Sequence, residues 1–74
     1  MSAPDPAAAL ARLTDGVRRS VAAVRAAIET MDAYPDMAPE VEAEFRRIIL
    51  EEARSLSALV EAAERENETG RKGA

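Results

Sequence analysis

The sequence predicts an all-α protein in which two long helices form an antiparallel hairpin. Three observations lead to this fold class. Larger apolar residues recur every three or four positions in two stretches, a single proline-containing break separates the stretches, and no segment alternates apolar and polar residues as a strand does. Both stretches consist largely of strong helix formers, and Ala alone accounts for 17 of the 74 residues.

The first helix is predicted over residues 6–33, after a disordered lead over residues 1–5. Asp5 is a favourable N-cap, and Pro6 suits the first helical position because a backbone N–H there has no partner anyway. Gly16 costs about 1 kcal/mol relative to Ala inside a helix. We nevertheless expect a continuous helix, with a kink at Gly16 as the alternative, because the apolar stripe stays in phase across it. The stripe comprises Leu10, Leu13, Val17, Val21, Val24, Ile28 and Met31.

A turn is predicted over residues 34–38, a second helix over residues 39–67 and a disordered polar tail over residues 68–74. Pro35 disfavours helical geometry at Tyr34, and Pro39 suits a first helical turn. Asn67 and Gly70 are typical of a helix end. The second apolar stripe comprises Val41, Phe45, Ile48, Ile49, Leu56, Leu59, Val60 and Ala63.

Both stripes also repeat after eleven residues. The repeat takes Leu10, Leu13 and Val17 to Val21, Val24 and Ile28, and it takes Phe45, Ile48 and Ile49 to Leu56, Leu59 and Val60. An eleven-residue period predicts a nearly straight stripe on each helix.

The hairpin alone is predicted to have too small a core. Only 18 apolar residues are larger than Ala, and ordering each residue costs about 1.5 kcal/mol. We expect oligomerisation to complete the fold, with a symmetric dimer forming a four-helix bundle as the simplest assembly. A ring of hairpins and a complex with a larger protein are the alternatives. The predicted interface comprises Val21, Val24, Ile28, Phe45, Ile48, Ile49, Leu50, Leu56, Leu59 and Val60.

Two features of the predicted helices have more than one interpretation. Leu50 lies off the centre of the second stripe, so Ile48, Ile49 and Leu50 form a band wider than one partner helix requires. The back of the first helix is lined by small residues, which indicate either a solvated face or the close approach of another helix. These residues are Ala8, Ala11, Ala22, Ala23, Ala26 and Ala27.

Glu52 is a charged residue at the centre of the second apolar stripe. Arg18 and Arg25 flank the first stripe, one turn on either side of Val21. A turn near Asp36 would place Glu52 at the level of Val21. We therefore expect Glu52 to pair with Arg25 or Arg18 and to fix the register of the hairpin or dimer.

The composition excludes several classes of chemistry. The chain has no Cys, His or Trp, so it lacks thiolate and imidazole metal ligands and His acid–base catalysis. We expect no catalytic residues, no metal, no cofactor and no small-molecule substrate. A net charge of −4 argues against direct nucleic-acid binding. No apolar run has the length of a membrane span, and the N-terminal residues lack a basic signal-peptide region, so we expect a cytoplasmic protein.

These observations favour a small interaction module that self-associates and binds or regulates a larger protein. The hairpin, with its acidic second helix and polar tail, resembles the oligomerisation hairpin of small terminase subunits. That resemblance implies a phage DNA-packaging adaptor that forms a ring, although the helix-turn-helix region usual in that family is absent from residues 1–74. A regulatory binder of the antitoxin, anti-sigma or export-chaperone type is the other interpretation.

Overall fold

The protein is described by a computed structural model that covers the backbone of residues 5–73 and the side chains of residues 5–68. Helix α1 spans Pro6–Ala33 and helix α2 spans Pro39–Gly73. The two helices pack side by side as an antiparallel hairpin measuring 56 × 18 × 17 Å. This confirms the all-α hairpin. Residues 1–4 of the predicted lead and residue 74 of the predicted tail lie outside the described residues.

The ends of α1 follow from the local sequence. Asp5 is extended, and its carboxylate Oδ1 accepts a hydrogen bond of 3.0 Å from the Ala7 N–H. That bond satisfies one of the donors that a helix start leaves unpaired. At the other end, the Tyr34 N–H donates to the carbonyl of Thr30, and Pro35 follows. The helix runs through Gly16 without interruption.

The turn and the start of α2 also follow the sequence pattern. The Met37 N–H donates to the Tyr34 carbonyl at 3.1 Å, and the Ala38 carbonyl accepts from the first turn of α2. Glu40 and Glu42 lie in that first turn, where the helix dipole favours negative charge. The helix then continues to Gly73, whereas the sequence analysis ended it at residue 67. Asn and Thr each cost less than about 1 kcal/mol in a helix, and a single Gly costs about 1 kcal/mol. The Glu and Arg residues around them are good helix formers.

The seam between the helices has a seven-residue period. On each helix, seven of the less exposed positions alternate spacings of three and four, which is typical of paired helices. On α1 they are Ala9, Leu13, Gly16, Ser20, Ala23, Ala27 and Thr30, and on α2 they are Glu42, Phe45, Ile49, Glu52, Leu56, Leu59 and Ala63. Beside them, Ala8, Val17, Val24, Met31 and Ala62 are also of intermediate exposure. The eleven-residue repeat of the larger apolar residues therefore does not describe the contact between the two helices.

Small residues of α1 face large residues of α2. A Cβ atom placed on Gly16 would lie 3.0 Å from Leu59 Cδ1, so Gly16 leaves the space that Leu59 fills. Ser20 and Ala27 are only 5% and 4% exposed, and they are the only buried residues among those whose side chains are described. The predicted row of small residues is divided, because Ala23 and Ala27 face α2 itself whereas Ala11, Ala22 and Ala26 are exposed.

Candidate interaction surface

Four large apolar side chains of α1 point to one side of the hairpin. Val17, Val21, Val24 and Ile28 follow each other at spacings of four and three, like the seam residues. At 100° per residue, their mean direction lies about 100° from the direction of the seam. Val21 and Ile28 are about half exposed, and Leu10 is more so. Helix α1 therefore has two stripes, a small-residue stripe that contacts α2 and a bulky stripe beside it.

Helix α2 contributes a second row of residues to the same side. One groove is lined by both Ile28 of α1 and Arg46 of α2, which places these two residues on one side of the hairpin. Leu50 and Val60 follow Arg46 at helical spacing and are 50% and 47% exposed. We call this surface the apolar face. It comprises Leu10, Val17, Val21, Val24 and Ile28 of α1 with Leu50, Ala53 and Val60 of α2.

Ion pairs are concentrated away from the apolar face. Arg25 Nε donates to Glu29 Oε1 at 3.1 Å, Arg19 pairs with Asp15, and Arg47 pairs with Glu44 and Glu51. These pairs join neighbouring turns of one helix and are solvent-exposed, so they contribute little to stability. The pair of Arg46 with Glu42 lies at the apolar face, near the turn. We call the opposite surface, which carries Asp15, Arg19, Glu44 and Glu51, the charged face.

The electrostatic effect on Arg47 is local. The hydrogen bond from Arg47 to Glu44, together with the charges of Glu44 and Glu51, raises the pKa of the guanidinium above its usual value. Arg47 is a cation at any physiological pH with or without this shift.

The structure divides the predicted interface residues among three places. Phe45, Ile49, Leu56 and Leu59 lie half-buried in the seam of the hairpin. Val21, Val24, Ile28, Leu50 and Val60 lie on the apolar face. Ile48 lies on the other side, in the same row of α2 as Val41, which lines a groove with Thr30 and Phe45. The band of Ile48, Ile49 and Leu50 is thus split, with its outer members on opposite sides.

Glu52 is half-buried in the seam, between Ile49 and Leu56. By the register of the Gly16–Leu59 contact, it lies opposite Ala23. Arg18 and Arg25 line a groove on the outer surface of α1, and Arg25 is paired with Glu29. Within residues 5–68 no ion pair joins Glu52 to either arginine. A pairing of Glu52 with these arginines across a dimer stays a prediction.

Sequence reasoning missed the row of small, large and charged residues that α2 adds to the apolar face. Ala43, Arg46, Leu50, Ala53, Ser57 and Val60 recur at spacings of three and four. The signal was present in the sequence. It was overlooked because only the larger apolar residues were used to define stripes, and this row contains just two of them.

The hairpin exposes far more surface than a compact chain of its mass. A globular monomer of 7.9 kDa exposes about 4400 Å², whereas the hairpin exposes 6165 Å². Its radius of gyration is 17.1 Å, against about 11 Å for a compact domain of this length. No large side chain is fully buried among the described residues. The two-helix unit therefore has a seam but lacks a filled core.

Comparison with known proteins gives no relative: no family model, no curated protein and no solved structure matches the chain. Within the described residues, no helix is long and apolar enough to span a membrane. In the same part of the chain, no three or more His, Cys, Asp or Glu side chains form a group that could hold a metal ion.

Proposed function

We propose that the protein is a small non-enzymatic interaction module of the cytoplasm that self-associates through its apolar face and binds or regulates a larger protein. The observation that carries the proposal is the apolar face beside a seam in which, over residues 5–68, no large side chain is fully buried. Removing apolar surface from water contributes about 25 cal/mol per Å², which offsets the cost of bringing two chains together. A second hairpin packed on the apolar face would bury apolar surface that the single hairpin leaves exposed to solvent.

The amount of exposed surface fits this proposal. The hairpin exposes roughly 1700 Å² more than a compact monomer of its mass would. A standard protein interface buries about 800 Å² on each partner. Association through the apolar face would remove surface of this order while leaving the charged face in solvent. The charged face would then be available to a larger partner of the assembled module.

The test is the mass of the chain in solution, measured by light scattering after size exclusion across a hundredfold dilution. Two variants make it specific. Leu50 and Ile48 are both exposed apolar residues of α2, 50% and 39% accessible, but they lie on opposite sides of the hairpin. We expect Leu50→Glu to weaken self-association at least tenfold and Ile48→Glu to leave it within threefold. A folded wild-type monomer at all concentrations, or equal effects of the two variants, would contradict the proposal.

The same measurement separates the other functions that the sequence suggests. A mass of many chains would favour a ring, as the resemblance to small terminase subunits implies, and DNA binding with steep salt dependence would then be tested. A poorly helical monomer would favour a regulatory binder that folds on its partner. A helical dimer is the expected result.

A further inference from the structure

We infer that the occupant of the apolar face is a second copy of this chain, with α1 of each copy packed against α2 of the other. The two-fold axis runs along the length of the bundle. This inference rests on the proposed self-association and specifies its geometry. The result is a four-helix bundle in which every helix has antiparallel neighbours and both turns lie at the same end.

The angle between the two stripes of each helix points to this assembly. The bulky stripe of α1 lies about 100° from the seam, and the row of α2 from Ala43 to Val60 lies at the same angle from the seam of α2. In a four-helix bundle each helix contacts two neighbours at roughly right angles. Each helix of the hairpin therefore has one surface that contacts the other helix of the same hairpin. A second surface, about 100° away, can contact a helix of the second hairpin.

Side-chain size decides which helix meets which. Inside the hairpin, Gly16, Ser20 and Ala27 of α1 face the larger residues of α2. On the apolar face the sizes are reversed at two levels, because Val17 and Val21 of α1 would meet Ser57 and Ala53 of the second copy's α2, while Val24 and Ile28 would meet Leu50 and Arg46. Interiors pack densely when large and small residues alternate across a contact. Packing α1 on α2 of the second copy satisfies this rule at the levels of Val17 and Val21.

The alternative two-fold axis, perpendicular to the helices, would pack like helices together. It would place valines opposite valines along α1 and leave alanines opposite alanines along α2, which combines crowding with voids.

The charges also suit a buried apolar face. Arg46 is the single charged residue of the α2 row between Ala43 and Val60, and it carries its own partner, Glu42, at the turn end of the hairpin.

Disulfide trapping tests the arrangement, because the chain contains no cysteine of its own. A two-fold axis along the bundle keeps residues at the same level, so Val21 of one copy meets Ala53 of the other. We expect a mixture of Val21→Cys and Ala53→Cys chains to form the mixed disulfide under oxidised glutathione. Val21→Cys alone should not cross-link, since the two copies of α1 lie diagonally across the bundle. A mixture of Val21→Cys with Ile48→Cys is the matched control and should not cross-link.

A second readout is the distance between the two turns. Spin labels on Asp36→Cys, an exposed turn position, should lie roughly 10–25 Å apart when neighbouring helices are 8–10 Å apart. The perpendicular axis would place them close to the 56 Å length of the hairpin. A long distance, or a Val21→Cys homodimer, in a protein that is dimeric by mass would overturn the arrangement and leave self-association standing. A monomeric wild type would overturn both.

Discussion

Replacing Ala27 with Leu tests the close approach of the two helices. Ala27 is 4% exposed, and the Gly16–Leu59 register places it at the level of Ile48 and Ile49 of α2. A Leu side chain has no room there unless the helices move apart. Overpacking of this kind costs about 1–3 kcal/mol, whereas the helix propensities of Ala and Leu differ by only about 0.2 kcal/mol. For a domain of this size, the loss lowers the melting temperature by roughly 5–20 °C.

The matched control is Ala22→Leu, which makes the same change on the exposed surface of the same helix. Surface substitutions usually change stability by less than about 0.5 kcal/mol. Urea unfolding followed by far-ultraviolet circular dichroism measures both variants, at one chain concentration because the stability of an oligomer depends on it. If Ala27→Leu is as stable as Ala22→Leu, the small-residue seam does not hold the helices together, and the packing argument fails.

Three further substitutions probe other parts of the fold. We expect Gly16→Ala to raise stability by up to about 1 kcal/mol, because helix propensity improves and the Leu59 side chain can turn its methyl away; a loss in urea unfolding would show that it cannot. Asp5→Ala should lower stability by about 0.5–1 kcal/mol through loss of the cap bond to Ala7, and thermal unfolding that matches the wild type would show the cap to be ineffective. Glu52→Leu should raise the melting temperature by replacing a half-buried carboxylate with an apolar group; a lower melting temperature or a mixture of masses would favour the register role of Glu52 instead.

The ends of the elements followed from local chemistry, and most of them were predictable. Asp5 and Pro6 start α1 and Pro39 starts α2, because caps and prolines act within one turn of the chain. The end of α2 was the least predictable. Asn67 and Gly70 are weak stop signals, and their small costs do not overcome the good helix formers beside them.

The partner of each helix face was not predictable from the larger apolar residues alone. No contact between α1 and α2 was predicted at Gly16, Ser20 or Ala27, yet these residues lie in the seam. Small residues allow the closest approach of two helices. The spacing of the small residues along α1 therefore indicates which of its faces contacts α2. Hydropathy instead identified the stripe that the hairpin leaves exposed.

The large apolar residues of the two helices do not all lie in the seam. Phe45, Ile49 and Leu59 of α2 lie in the seam, whereas Val21 and Ile28 of α1 lie on the apolar face. If Val21 and Ile28 had faced α2, the hairpin would have buried its best apolar residues and left Gly16 and Ala27 in solvent. The observed arrangement does the opposite, because α2 already supplies Phe45, Ile49 and Leu59 to the seam. Large residues on both helices would overfill one seam. Dividing them between an inner seam and an outer face keeps the seam from being overfilled.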